Sequence, residues 1–191
     1  MKTTAENLSP EQSLGIIAGM ISQAKGNVRL KSYYFLLWGW VVMLADLGMF
    51  ILIQLDYRYP FIVWLITIPA WILSAYKGYR QGRVNPSPTH LDRISAWMWS
   101  CFGIVVFTLV MFGYKINFQL NPVILLFCAI PTFVSGIIIK FKPLIIGGIL
   151  FWVFGTICFL IPMPYQFLAA ATAIACGYLV PGYILKNKQE D

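Results

Sequence analysis

The chain has 191 residues, of which 59% are hydrophobic and 11% charged, against about 25% charged in an ordinary soluble domain. With a mean hydropathy of +0.74, that much apolar surface cannot be hidden in one water-soluble core, since part of any such fold must still face water. The net charge of +7 is spread over short segments between apolar runs, not gathered on one stripe, so lipid is the expected partner and nucleic acid is not.

Residues 1–32 are expected to form a cytoplasmic N-terminal segment without the apolar core and cleavage site of a secretory leader. Ser9, Pro10 and Gln12 make a capping box with proline at the first helical position. Leu14, Ile17, Ala18, Ile21 and Ala24 then recur every three or four residues. This predicts an amphipathic helix on the membrane surface or docked against the spans. With Gly15 and Gly19 on it, a partner-binding helix is the alternative.

Six apolar runs follow: Tyr33 to Leu55, Pro60 to Tyr76, Ile94 to Tyr114, Pro122 to Ile139, Pro143 to Ile161 and Tyr165 to Leu185. Each approaches or exceeds the roughly 20 residues that carry a helix across a bilayer core. The runs are continuous, without the alternation of a transmembrane barrel. The fold class is therefore all-α, an integral membrane bundle of six transmembrane helices over residues 33–185, with a cytoplasmic tail at 186–191. If the N-terminus is cytoplasmic, twelve of the 14 Lys and Arg fall on the inner side and only Arg58 and Lys115 on the outer. Both termini are assigned to the cytoplasm on that asymmetry. Tyr33, Tyr34, Tyr57, Tyr59, Tyr76, Tyr79, Tyr114 and Tyr165 fall at headgroup level, where an amphipathic phenol is favoured.

The even-numbered spans share a pattern: Ile68-Pro69-Ala70-Trp71-Ile72, Ile130-Pro131-Thr132-Phe133-Val134 and Val180-Pro181-Gly182-Tyr183-Ile184. Trp38 and Trp40 in the first span are matched by Trp97 and Trp99 in the third, with Phe151-Trp152 as a weaker counterpart. These point to three repeated helical hairpins inserted in one orientation, with any symmetry axis along the membrane normal. Chance recurrence of proline and aromatics, both frequent in membrane helices, is the alternative. Pro69, Pro131 and Pro181 each deprive a carbonyl four residues earlier of its donor, so kinks are expected at all three. In the last span Ala169, Ala173 and Gly177 form a small-residue stripe that admits a close neighbour.

Asp46 is the one acid inside a span, and with no Lys, Arg or His in any span it has no charged partner. It is the candidate intramembrane polar site: either a neutral carboxyl bonding helices together, with Thr67, Ser74, Ser100, Thr108, Thr132, Ser135 and Thr156 as possible neighbours, or a proton or ion site. The segment from Lys77 to Arg93 reads as a loop whose Arg80, Arg83, His90, Asp92 and Arg93 form a candidate cytoplasmic contact surface, with Thr89 capping the third span. Cys101, Cys128, Cys158 and Cys176 lie in apolar runs and read as buried free thiols. One histidine and the lack of an acid pair leave no zinc, haem or hydrolase constellation, so no enzyme, cofactor or metal is expected.

Leu8-Ser9-Pro10-Glu11-Gln12-Ser13-Leu14, Ile21-Ser22-Gln23-Ala24-Lys25, Tyr34-Phe35-Leu36-Leu37-Trp38-Gly39-Trp40 and Thr89-His90-Leu91-Asp92-Arg93-Ile94 resemble a family of small, uncharacterised multi-span membrane proteins from Bacteroidota-type bacteria. The resemblance implies the bacterial cytoplasmic (inner) membrane and brings no activity or site residue with it. The functional expectation is a non-enzymatic scaffold, sensor or accessory subunit among membrane lipids, with a second copy or another protein as partner. The alternative is a small transporter or channel that uses Asp46.

Overall fold

The computed structural model describes the backbone of residues 10–84 and 90–187, and the side chains of residues 32–84 and 90–187 apart from Gln81 and Val84. Among the described residues every regular element is helical, and six helices are long and apolar enough to cross a membrane. That result follows from the solvent: hydrocarbon offers backbone N–H and C=O groups no partners, and a helix satisfies them within one segment. The chain is read as a multi-pass membrane protein.

Helix α1 runs from Pro10 to Gln54. Its description begins at Pro10; Ser9 and the rest of the expected cap lie outside the described residues, as do the side chains of the predicted amphipathic face. No turn separates that segment from the first span, Ser32–Gln54. At about 1.5 Å per residue α1 is about 68 Å long, more than twice the roughly 30 Å hydrocarbon core.

The second span has two helical forms: a 3₁₀ helix over Pro60–Ile66 leads into α2, Thr67–Val84. Helix α3 covers His90–Met111, and a short 3₁₀ turn at Gly113–Ile116 leads to α4, Leu120–Ile138. Helix α5 spans Lys142–Leu160 and α6 spans Met163–Ile174. A π-helical stretch, Ala175–Leu179, joins α6 to α7, Val180–Asn187, so the sixth span is α6, the π stretch and α7 together.

The segment expected to be a loop from Lys77 to Arg93 is corrected by this layout. Arg80 and Arg83 lie on α2, which continues to Val84, and His90, Asp92 and Arg93 lie in the opening turns of α3. Thr89 falls outside the described residues. Propensity explains the miss: Lys and Arg are good helix formers, and a helix entering the interface needs no apolar side chains to continue.

Helices α4 and α5 form the most closely packed hairpin. Its turn places Lys140 in the left-handed region, φ 53, while the Phe141 N–H closes on the Gly136 carbonyl at 2.9 Å. Between the two helices, a β-carbon added at Gly148 would stand 2.8 Å from the Phe133 backbone nitrogen. Helix α1 packs along the sixth span on one side and against the second on the other, and α3 rests on α4. The core forms where α1, α4, α5 and the sixth span meet, around Phe35, Leu125, Leu144, Phe151, Ala173 and Tyr178. The last span is the most enclosed, with 56% of its most apolar stretch buried, against none of the third span's.

The three prolines meet three different backbones. Pro69 is exposed at the start of α2, just after the 3₁₀ stretch, where the Thr67 hydroxyl donates to the Trp64 carbonyl at 2.6 Å. Pro131 is buried within an uninterrupted α4. Pro181, also buried, follows the π stretch, in which the Val180 N–H reaches back to Ala175 O. Pro181 gives Gly177 O no donor four residues on. That carbonyl instead faces Gly147 on α5, so close that a β-carbon there would stand 2.5 Å away. The approach needs glycine at position 147, and it sets the sixth span against α5.

Candidate functional site: two buried polar clusters

The polar side chains inside the spans separate into an inner and an outer group. The inner one is built by the π stretch, whose extra residue per turn directs Tyr178 into the core against Phe151, ring centroids 4.9 Å apart at 88°, and against Phe35 at 5.5 Å. Its hydroxyl lies 2.8 Å from Cys128 Sγ and 3.0 Å from Thr132 Oγ1, both on α4. Proton counting gives the bonds a direction. Thr132 donates its one hydrogen to the Cys128 carbonyl at 2.7 Å, so Tyr178 must donate to Thr132, and the Cys128 thiol must donate to Tyr178. Each donor in this group has an acceptor, and nothing in it is left to react.

Beside it, Trp99 Nε1 on α3 donates to Ser135 Oγ on α4 at 3.2 Å. In the first hairpin Trp38 Nε1 donates to Ser74 Oγ at 3.1 Å. Near that end of the spans Lys77 Nζ sits 3.1 Å from the Tyr33 ring centroid, and Arg83 donates to Tyr79 and lies over its ring. Cation and phenol thus share one level on α1 and α2, as interfacial anchors do.

The outer group centres on Asp46, 1% exposed. Its Oδ1 is buried without a hydrogen-bond partner among the described residues. None of the seven expected hydroxyl neighbours serves it. Ser100, Thr108 and Thr156 bond back to carbonyls four residues earlier in their own helices, Thr67 to one three residues earlier, and Ser74, Thr132 and Ser135 are engaged as above. Cys158 is buried in the last turn of α5. Cys158 Sγ lies 3.7 Å from the Gln166 carbonyl. The Gln166 side chain, 2% exposed in the first turn of α6, donates to Gln119 Oε1 at 2.8 Å and to the Ile161 carbonyl at 3.2 Å. Asn121, on α4, is also buried, and its Nδ2 has no partner.

Sequence reading singled out Asp46 but passed over Gln166, Gln119, Asn121 and Cys158. The signal was present: three amides stand at the starts of the fourth and sixth apolar runs, where they read as boundary residues. The structure brings together neither Asp46 and the three prolines nor Asp46 and the basic residues of α2 and α3. The cysteines divide, with Cys128 and Cys158 buried and Cys101 and Cys176 exposed, all four free. This corrects the expectation of four buried thiols: in a membrane protein an apolar run faces lipid as readily as core. The chain matches no protein-family model, no curated protein and no solved structure.

Proposed function

We propose that this chain is a non-enzymatic scaffold, sensor or accessory subunit of a bacterial cytoplasmic membrane, with both termini on the cytoplasmic side. The observation that carries the reading is how the span polar groups are used: the Cys128, Tyr178, Thr132 and Ser135 side chains and the Gln166 amide join helix to helix, and Asp46 is enclosed at 1% exposure. Interhelical bonds of this kind are each worth about 0.6–2 kcal/mol in lipid. The charge asymmetry between the two sets of loops supports the orientation.

The three-hairpin organisation belongs to the same proposal. Trp38 to Ser74 and Trp99 to Ser135 are equivalent bonds, each joining residues 36 positions apart across one hairpin. They align Trp38 with Trp99, one W-x-W position away from the alignment read in the sequence. The third hairpin differs, since Trp152 stacks on Phe133 at 5.5 Å instead. A six-helix bundle with lipid, a second copy or another membrane or cytoplasmic protein as partner accommodates the exposed second and third spans.

Two measurements test the reading. Single cysteines at Arg83 and Lys186, in a background without the native thiols, are expected to label from the same side of sealed vesicles. In liposomes the purified chain is expected to carry no ion flux. Flux that disappears in Asp46→Asn would replace the subunit reading with the transporter reading.

A further inference from the structure

We propose that an anionic phospholipid is held in a groove on the exposed face of α1, between the second and sixth spans, with its phosphate at Lys77 and its acyl chains along Trp40 and Leu44. The groove follows from how α1 is flanked. On one side α1 is bonded to Ser74 of α2, by the Tyr34 hydroxyl to its carbonyl at 3.3 Å and by Trp38 Nε1 to its hydroxyl at 3.1 Å. On the other side the Ser32 hydroxyl donates to the Gly182 carbonyl of α7 at 3.0 Å, and a β-carbon on Gly182 would stand 2.9 Å from Leu36. Helices α2 and α7 make no substantial contact with each other. Positions 33, 37, 40 and 44 follow the four- and three-residue spacing of one helix face and form the strip left between them. Trp40 and Leu44, 42% and 46% exposed, are the two exposed residues of α1 between Ser32 and Phe50.

Two polar groups, one on each wall, specify the occupant. The half-buried Lys77 of α2 holds its ammonium over the Tyr33 ring, which attracts the charge without neutralising it, and no carboxylate among the described residues pairs with it. On α7 the Tyr183 hydroxyl accepts from Trp40 Nε1 at 3.1 Å, across the strip, and its own hydrogen has no acceptor among the described residues. An unneutralised cation and an unspent donor beside an apolar strip fit a molecule with an anionic, oxygen-rich head and long apolar chains. Its phosphate would meet Lys77, and a phosphate or ester oxygen would take the Tyr183 hydrogen. Lys186, exposed one turn beyond Tyr183, adds a second cation at headgroup level. A second copy of the chain is the poorer occupant, because a two-fold contact through this face sets Lys77 and Lys186 against their own like charges at the same depth. The inference deepens the lipid partnership of the reading above and rests on the multi-pass membrane fold, not on the subunit role.

The experiment uses the full chain in phosphatidylcholine vesicles that carry a trace of spin-labelled phosphatidylglycerol or spin-labelled phosphatidylcholine, and electron spin resonance reads the share of each label held at the protein surface. The wild type is expected to prefer phosphatidylglycerol about fivefold for each lysine engaged, and Lys77→Gln to lower the preference about fivefold. Arg83→Gln, on the same helix but at a guanidinium turned to Tyr79, is expected to lower it by less than about twofold, as for a screened surface charge. No preference in the wild type, or equal losses in the two variants, overturns the proposal, since diffuse surface charge attracts lipid without a seat. The position is read from the share of tryptophan fluorescence that Trp40→Phe removes. Brominated phosphatidylglycerol is expected to quench that share more strongly than brominated phosphatidylcholine at equal mole fraction, and equal quenching overturns the proposal even if Lys77→Gln fails to fold. Disulfide-linked dimers formed by Leu44→Cys in a background without the native thiols overturn it in favour of a second copy. Loss of the lipid preference leaves the flux and labelling outcomes of the subunit reading untouched, so the two fail separately.

Discussion

The inner and outer polar groups are made of similar material and reach opposite outcomes. Cys128, Tyr178 and Thr132 pass one hydrogen each in turn and end on a backbone carbonyl, so the inner group is complete without help. In the second group Gln166 gives its hydrogens to Gln119 and the Ile161 carbonyl, and one acceptor, Asp46 Oδ1, and one donor, Asn121 Nδ2, are left over. The difference teaches that burial by itself says little about role in these spans, and that the balance of donors and acceptors separates a complete network from one that leaves groups over.

The comparison is broken most severely through the backbone that supports the inner group. Gly147→Val forces a β-carbon to within 2.5 Å of Gly177 O and pushes the π stretch, with Tyr178, out of place. A loss of about 3 kcal/mol or more is expected, since overpacking against backbone has no side chain to yield, and detergent-solubilised yield and unfolding midpoint would register it. Tyr178→Phe tests the ring itself by leaving the Cys128 thiol without its acceptor, at an expected cost of about 1–3 kcal/mol. If stability were unchanged, the directed ring would be wrong. Asp46→Leu should behave in the opposite way and lie within about 1 kcal/mol of the wild type or above it, because it removes a buried acceptor that has nothing to accept.

Smaller effects refine the hairpin equivalence. Ser135→Ala removes a buried acceptor from Trp99, and Ser74→Ala removes a half-buried one from Trp38. About 1 kcal/mol is expected for the first and less for the second, read from unfolding midpoints. Last, Lys140→Gly relieves a side chain held at φ 53 in the turn between α4 and α5, and is expected to stabilise by up to about 1 kcal/mol.

The sequence by itself determined the number of spans and their limits. Apolar runs of spanning length, interrupted by Pro, Asn or Lys, leave a chain in lipid one choice of backbone, and the helices begin and end within a few residues of the expected bounds, save where charged helix formers carry α2 on to Val84. It also marked Asp46, because an acid in a long apolar run is conspicuous. Tertiary structure decided the rest. Which faces meet is a matter of close approaches such as Gly147 on Gly177, and lipid-facing and core-facing apolar residues look alike in sequence, as the exposed Cys176 beside the buried Gly177 shows. The direction of each hydrogen bond, and so the unmet oxygen of Asp46, depends on side chains from four helices far apart along the chain, where no local pattern can record it.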